Sequence, residues 1–275
     1  MPELPEVETI RRTLLNHILG RKILDVKVGC DRIIRSSSVS EFESHLIGRT
    51  LEGLDRRGKY LIFHLSDGEI IVHLRMEGRF FIKTSTDPIA KHEHVIWELS
   101  DHLSLRYHDV RKFGTMEWTT KGQWRSAQGL DRLGYEPFEL RGNAGYLFQR
   151  LSRSHRPIKA LLLDQTIISG LGNIYVDEVL FLSRIHPQIP GARLTPRDVE
   201  KVLANAISVL ELAVERGGTT IRTYVSSLGV SGRFQNELNV HTRAGRPCPV
   251  CGETIMKMKV AGRGTYVCPK CQSWE

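Results

Sequence analysis

Four of the five cysteines in this 275-residue chain crowd its last 28 residues, as CPVC (248–251) and CPKC (268–271). Two residues between the thiols of each pair let one tight turn present both, and sixteen residues between the pairs let two such turns close a tetrahedron around a zinc ion. Cys248, Cys251, Cys268 and Cys271 therefore read as one structural Zn2+ site. Four sulfurs fill the coordination sphere, so the metal has no open position for catalysis. Two disulfides are the competing arrangement, disfavoured because no basic region followed by an apolar stretch opens the sequence. Cys30, alone near the front, reads as a small buried residue at a strand end.

The second concentration of chemistry is MPELPEVET at positions 1–9. Pro2-Glu3 and Pro5-Glu6 suit a helix entrance, where proline's missing N–H is not needed and carboxylates offset the positive end of the dipole. Further along, Arg56-Arg57-Gly58-Lys59 puts cations around a glycine before an apolar strand. Met76 and Phe113 stand beside arginines in turns, a combination able to fill a hole in a base stack, with core packing as the plain alternative. Ser169-Gly170-Leu171-Gly172-Asn173 fails as a dinucleotide fingerprint, because Tyr175 occupies the third glycine position and the preceding ALLLDQ reads as helix. It survives as a tight turn before a helix start, able to hold a phosphate with help from the Asn173 amide.

These residues need positioning. Val7, Ile10, Leu14 and Ile18 recur at helical spacing behind the opening motif, and Gly20 ends the run. From Lys22 to Trp118 the chain alternates short apolar and polar runs (KILDVKV, KYLIFHL, EIIVHLRM, RFFIKT, HVIWEL, LSLRYH, FGTMEW), which predicts a sandwich or flattened barrel. After a weakly periodic boundary the pattern turns helical, over Gly145 to Leu151, Ile158 to Gln165, Ile174 to Ile185 and Pro196 to Arg216. Thr195, Pro196 and Gly217-Gly218 punctuate the last of these. Thr219 to Arg246 reads as a loop with a small strand or turn. Between the cysteine pairs, two short strands joined by Ala261-Gly262-Arg263-Gly264 form a hairpin with Arg263 at its tip.

Lys and Arg total 39 against 31 Asp and Glu, a formal charge of +8 that suits a polyanionic partner. No stretch approaches a membrane span, so the expectation is a soluble, intracellular protein without a membrane partner.

MPELPEVET, RRGKY, HLRMEG, DVRKFG, GLGNIYVDE, GGTTIRTY and VAGRGTYVCPKCQ, in this order, resemble the formamidopyrimidine-DNA glycosylases of bacteria. The resemblance covers essentially the whole chain. It implies an α+β architecture: an N-terminal β-sandwich domain preceded by a helix (1–120), a linker (121–138), a helix-two-turns-helix DNA-binding domain (139–236) whose segment 217–236 closes over a flipped base, and a zinc-finger module (237–275). It also implies excision of oxidised purines from duplex DNA, followed by strand cleavage at the abasic sugar. Pro2, freed by loss of Met1, is then the nucleophile, Glu3 the acid-base residue and Glu6 its support. Lys59 is implied in the elimination steps and at the lesion-flanking phosphates, and Arg263 in δ-elimination. Met76, Arg111 and Phe113 are the implied trio that fills the vacated stack, and His92, Arg111 and Asn173 contact DNA, with His73 and Arg153 as further contacts. Cofactors reduce to one Zn2+ with no organic group, and the partner is double-stranded DNA containing oxidised purines or abasic sites. A monomer suffices, since one subunit supplies every contact, and the setting is the bacterial cytoplasm, acting at the nucleoid.

One departure stands out. Where the family commonly reads Val-Tyr-Gly-Arg before the zinc module, this chain has Val240-His241-Thr242-Arg243, so an imidazole replaces a phenol as donor. Two other functions fit parts of the pattern: a sister class acting on oxidised pyrimidines, and a noncatalytic zinc-bearing DNA-binding protein. The LPEVET continuation and the Met76, Arg111, Phe113 trio favour the purine reading. A pure binding module leaves Pro2, Glu3 and Lys59 unexplained.

Overall fold

The computed structural model describes residues 1–219 and 232–274. These form two compact units: Met1–Asp131 with the described part of 217–232, and Arg132–Arg216 with the described part of 233–275.

The first unit contains α1 (Leu4–Ile18), β1 (Ile23–Val28), β2 (Ile34–Arg35), α2 (Val39–Leu46), β3 (Leu51–Arg57), β4 (Tyr60–Leu65), β5 (Gly68–His73), β6 (Arg79–Thr84), β7 (Glu93–Leu99), β8 (Leu103–His108) and β9 (Thr115–Thr120). One sheet runs β1-β7-β8-β6 and the other β2-β9-β5-β4-β3. Every pairing is antiparallel except the short β2 against β9. Strand β5 is central and buried along its whole length, which explains why EIIVH lacks the alternation of a half-exposed strand. Rings interlock the two sheets: Phe63 of β4 meets Phe80 of β6 at 5.4 Å and Trp97 of β7 at 5.1 Å between centroids. Burying each such side chain contributes roughly 1.5–3 kcal/mol relative to exposure. The sandwich is thus a rigid base for its loops.

Helix α1 buries Val7, Ile10, Leu14 and Ile18, as the spacing predicts, against β3 and β4. The all-strand reading of Lys22 to Trp118 missed α2. Its signal is a capping box: Ser38 N–H donates to Glu41 Oε2 at 2.8 Å, and Glu41 N–H donates to Ser38 Oγ at 3.3 Å. Buried Phe42 and Leu46 pin it down. Cys30 is half-buried and precedes a 3-10 turn (Asp31–Ile33), so it is not the fully buried strand-end residue expected.

The second unit contains α3 (Ala144–Leu151), α4 (Ile158–Leu162), α5 (Asn173–Ser183), α6 (Pro196–Glu215), β10 (Met256–Val260) and β11 (Arg263–Val267). Helix α6 packs on α5 and α3, and β11 lies on α5. Thr195 accepts from Asp198 N–H and Pro196 takes the first turn of α6, as read from the sequence. Helix α4 is shorter than the periodicity suggests. Asp164 turns back on Thr166, taking its N–H at 3.1 Å and its hydroxyl at 2.7 Å, and this ends the helical run. In 219–246 the described residues hold one 3-10 turn, Phe234–Glu237, and no strand.

Helix α1 is tied to the sandwich through one carboxylate. Glu8 accepts from Arg11 Nη2 at 2.9 Å, Arg12 Nε at 2.7 Å and Arg56 Nε at 3.3 Å. Burial opposes its ionisation, but hydrogen bonds and charge from these guanidinium groups win and hold its pKa down at about 2. Because the folded value lies below the unfolded one, the stabilisation is complete above the unfolded carboxyl's pKa and disappears as pH falls toward 2. Glu8→Gln should lower the unfolding free energy at neutral pH by about 2 kcal/mol, screening trimming the full linkage value. Denaturant titrations of both proteins across that acid range should show the variant's stability falling less steeply.

Candidate active site

In the first unit, Pro2 is buried and Glu3 is 3% exposed, immediately before α1. Glu6, one turn in, holds two segments at once. Its Oε2 accepts the Glu3 N–H at 2.8 Å, while Oε1 accepts the Thr219 N–H at 2.8 Å and the Thr219 hydroxyl at 3.1 Å. Gly218 makes this possible. Its φ is +75°, and a Cβ there would stand 2.7 Å from Glu6 Oε1. The foot of the expected closing segment is therefore fastened to the N-terminus, although residues 220–231 of that segment lie outside the described residues.

Lys59 sits in a two-residue turn between Arg57 and Tyr60, with Gly58 at φ +57° supplying the left-handed position. Sequence alone makes such a lysine a solvated strand-end residue, yet it is 5% exposed. Tyr60 pairs with His73 across β4 and β5, their rings edge-on at 4.5 Å. Burial, with Arg75 and Lys59 nearby, pushes the His73 pKa down to about 3, so the ring is neutral. Its Nδ1 accepts the Arg75 N–H at 2.9 Å, which puts the ring proton on Nε2.

Met76 and Phe113 are exposed tips, 41% and 45% accessible, so core packing does not account for them. The Arg111 guanidinium lies over the Phe113 ring, 4.7 Å from its centre. What shapes this loop is Asp109, wholly buried. Its Oδ1 accepts from Arg111 N–H at 3.0 Å, and its Oδ2 from Phe113 N–H at 2.9 Å and Gly114 N–H at 2.8 Å. The Tyr107 hydroxyl, donating to the same Oδ2 at 3.3 Å, fills a notch that only glycine leaves open on either side. A Cβ on Gly78 would come within 2.2 Å of that oxygen, and one on Gly114 within 1.6 Å. The Met76 turn and the Phe113 loop thus close on one side chain. His92, at φ +74°, accepts the Asp109 N–H through its carbonyl at 3.0 Å. Arg106 holds the segment before it, donating to the carbonyls of Thr84, Asp87 and Pro88 and to Glu93.

In the second unit the hairpin closes in two residues, not four: Ala261 and Gly262 have φ +47° and +77°, and Val260 pairs with Arg263. Arg263 is exposed at the start of β11, one place from the tip. Beneath it lies a buried ionic cluster. Lys159 Nζ donates to Asp177 Oδ1 at 2.7 Å, Thr265 Oγ1 at 2.8 Å and the Gly264 carbonyl at 3.1 Å, with both charged side chains fully buried. His241 Nδ1 lies 2.8 Å from Asp177 Oδ2, so the imidazole commits one nitrogen inside the protein. Asn173, expected to meet an anion, gives one amide hydrogen to the Gly264 carbonyl at 2.9 Å, and among the described residues its second has no acceptor. The adjacent Glu178 accepts from the N–H groups of Asn239, Val240 and His241. Arg153 is exposed just past α3.

Asp109, Lys159, Asp177 and Glu178 are the residues that sequence reasoning passed over. A signal existed for each: an acidic pair inside the otherwise apolar helix NIYVDEVLF, a lone lysine in IKALLL, and an aspartate heading a basic loop. Charges in apolar runs are rarely buried unless paired.

The four cysteine sulfurs lie within 4.8 Å of one another, with Cys248 and Cys271 3.8 Å apart and Cys251 and Cys268 3.4 Å apart. A tetrahedron of sulfurs about 2.3 Å from zinc has edges of about 3.8 Å, so the donor set fits one structural Zn2+. Val250 N–H and Cys271 N–H each approach a ligand sulfur at 3.4 Å, which suits thiolates.

Three family models match along the chain: the formamidopyrimidine-DNA glycosylase N-terminal domain (residues 1–116), the H2TH domain of the same enzymes (133–225), and the zinc finger found in FPG and IleRS (245–273). A formamidopyrimidine-DNA glycosylase of Enterococcus faecalis is 49% identical, covering 99% of this chain and 97% of its own length. The chain belongs to the formamidopyrimidine-DNA glycosylase family. A relative from Bacillus cereus is 46% identical, covering 99% of both chains. Among solved structures, Lactococcus lactis Fpg in complex with DNA containing an abasic site has a TM-score of 0.94 at 41% identity, covering 99% of this chain and 100% of that one. A variant of the same enzyme with DNA containing Fapy-dG gives 0.93 over the same shares, also at 41% identity.

Within that family pattern, Thr242 stands where glycine is common, and its φ is +63°. A β-branched residue resists this conformation. Thr242→Gly should raise stability by about 1 kcal/mol, read as a higher Tm in thermal unfolding. Asp177→Asn should do the opposite: stripping the counter-charge from buried Lys159 costs about 3 kcal/mol, checked by denaturant unfolding and by faster amide exchange across β10 and β11.

Proposed function

We propose that this protein is a bifunctional DNA glycosylase and abasic-site lyase that excises oxidised purines, 8-oxoguanine and formamidopyrimidines, from duplex DNA. The observation that carries the reading is the N-terminus: Pro2 and Glu3 buried at the entrance of α1, with Glu6 bonded to Glu3 and to the foot of segment 217–236. The family's solved relatives are complexes with abasic-site and Fapy-dG DNA, which supports the substrate class.

With Met1 removed, Pro2 carries a free secondary amine. A terminal amine titrates near pH 8, so a useful neutral fraction exists at physiological pH. Its lone pair attacks C1′ of the damaged nucleotide as the C1′–N9 bond breaks. The base leaves with a proton and the amine nitrogen loses its own; the C1′–O4′ bond then breaks as O4′ takes a proton, opening the sugar to an iminium that acidifies the adjacent C2′–H. Loss of that proton expels the 3′ phosphate, and a second elimination expels the 5′ phosphate. Glu3 serves as the acid-base group. Lys59, buried beside the sandwich turn, assists the eliminations and meets the flanking phosphates; His73, neutral with its proton on Nε2, donates to phosphate without adding charge.

In the same reading Met76, Arg111 and Phe113 enter the gap left by the extruded nucleotide, and flipping the base is what exposes C1′ to attack. His92, Asn173 and Arg153 take phosphates, and Arg263 assists δ-elimination from the zinc hairpin. The protein acts as a monomer.

Borohydride reduction on a duplex carrying 8-oxoguanine opposite cytosine tests the mechanism. Wild-type protein should give a covalent protein–DNA adduct, and Pro2→Gly should reduce it at least tenfold. No adduct from wild type, or an equal yield from Pro2→Gly, removes the mechanism, while preferred release of thymine glycol reassigns the substrate to oxidised pyrimidines.

A further inference from the structure

The Met76 turn and the Phe113 loop both cross from one sheet of the sandwich to the other. Residues 74–78 lead from β5 to β6, and residues 109–114 from β8 to β9. The feet of the two crossovers are paired on both sides, His73 with Thr115 in the five-stranded sheet and Arg79 with His108 in the four-stranded one. They therefore run side by side between the same strand pairs. Each has its own internal closure: Gly78 N–H donates to the Leu74 carbonyl at 3.0 Å, and Asp109 takes the N–H groups of Arg111, Phe113 and Gly114.

Tyr107 stands between them. It lies on β8, paired with Phe80 of β6 and Val95 of β7, and is 1% exposed. Its hydroxyl, donating to Asp109 Oδ2, occupies the space that a Cβ on Gly78 or on Gly114 would need. An oxygen carried by the sheet and packed against both crossovers transmits a shift of one to the other, because a close-packed interior has no slack to absorb it. At the exposed ends of these crossovers the backbone turns through φ +53° at Arg75 and +57° at Lys112, and each turn immediately precedes an apolar tip.

We propose that Tyr107 is a positioning residue for opening the DNA stack: it links the two crossovers, so that Met76 and Phe113 enter together as one unit. The inference rests on the reading above, in which these tips fill the gap left by the extruded nucleotide. Parting stacked bases is costly. Tips that enter together meet that cost once, whereas tips that move independently must each open the stack alone. Met76 and Phe113 are therefore energetically coupled, and the coupling runs through the Tyr107 hydroxyl.

A double-mutant cycle, read as binding to a duplex with a tetrahydrofuran abasic analogue, tests this. In the wild-type background Met76→Ala and Phe113→Ala should each weaken binding nearly as much as both together, the double variant falling short of the product of the single losses by about fivefold or more. In a Tyr107→Phe background, where the hydroxyl is gone and the ring keeps its place in the sheet, the losses should multiply to within about twofold. A merely structural role for the hydroxyl lowers Tm and leaves the cycle as in wild type, which overturns the proposal. Wild-type protein alone supplies a second measurement if the variants fold poorly. The Gly78 and Gly114 amides, one on each crossover, should open with a common free energy in native-state hydrogen exchange, and opening constants differing by more than about tenfold overturn the linkage. If neither single variant weakens binding, the assignment of the tips to the stack fails; if both do and their losses already multiply in the wild-type background, the linkage alone fails.

Discussion

A carboxylate taken out of water has to be filled with hydrogen bonds, and in this protein that requirement shapes the segments assigned to function. Glu6 gathers the N-terminus and residue 219; Asp109 gathers Arg111, Phe113 and Gly114; Asp177 and Glu178 gather the β11 hairpin and the strand-less stretch 239–241. Each acceptor sits in or beside a rigid element, and most of the backbone N–H groups it takes lie in loops. The loops inherit order from the elements without secondary structure of their own.

The sandwich and the helices supply that rigidity by ordinary means: interlocking rings between sheets, an amphipathic α1 and a well-capped α6. Their turns are short where chemistry is expected. Gly58-Lys59 and Ala261-Gly262 are both two-residue hairpin turns, which fix the direction of the strand that follows and of the cation next to it. The first turn holds a buried lysine and the second is followed by an exposed arginine.

Much of this was legible from the residues. The alternating runs located seven of the nine strands in the first unit, and the cysteine spacing located the metal site. Helix α2 was lost because an all-strand expectation overrode a capping signal, and β3 because DRR looks like a loop when its partner strand is not yet in view. The buried ionic residues were harder. Lys159 reads as a surface charge until Asp177, 18 positions away, and Thr265, 106 positions away, are brought to it. Periodicity reports which face of an element is buried, and cannot report a polar contact whose partner lies on another element.

The Tyr107 notch has a mechanical consequence. Because the Met76 turn and the Phe113 loop close on one hydroxyl with no room for a Cβ on either side, the two tips keep a fixed separation. On the proposed reading they form a stiff two-pronged gauge. Intact DNA pressed against such a gauge would have to supply the deformation itself, and stiffly stacked steps resist it more than steps already loosened by damage. Rigidity in the protein would then turn the softness of the DNA into the quantity being measured.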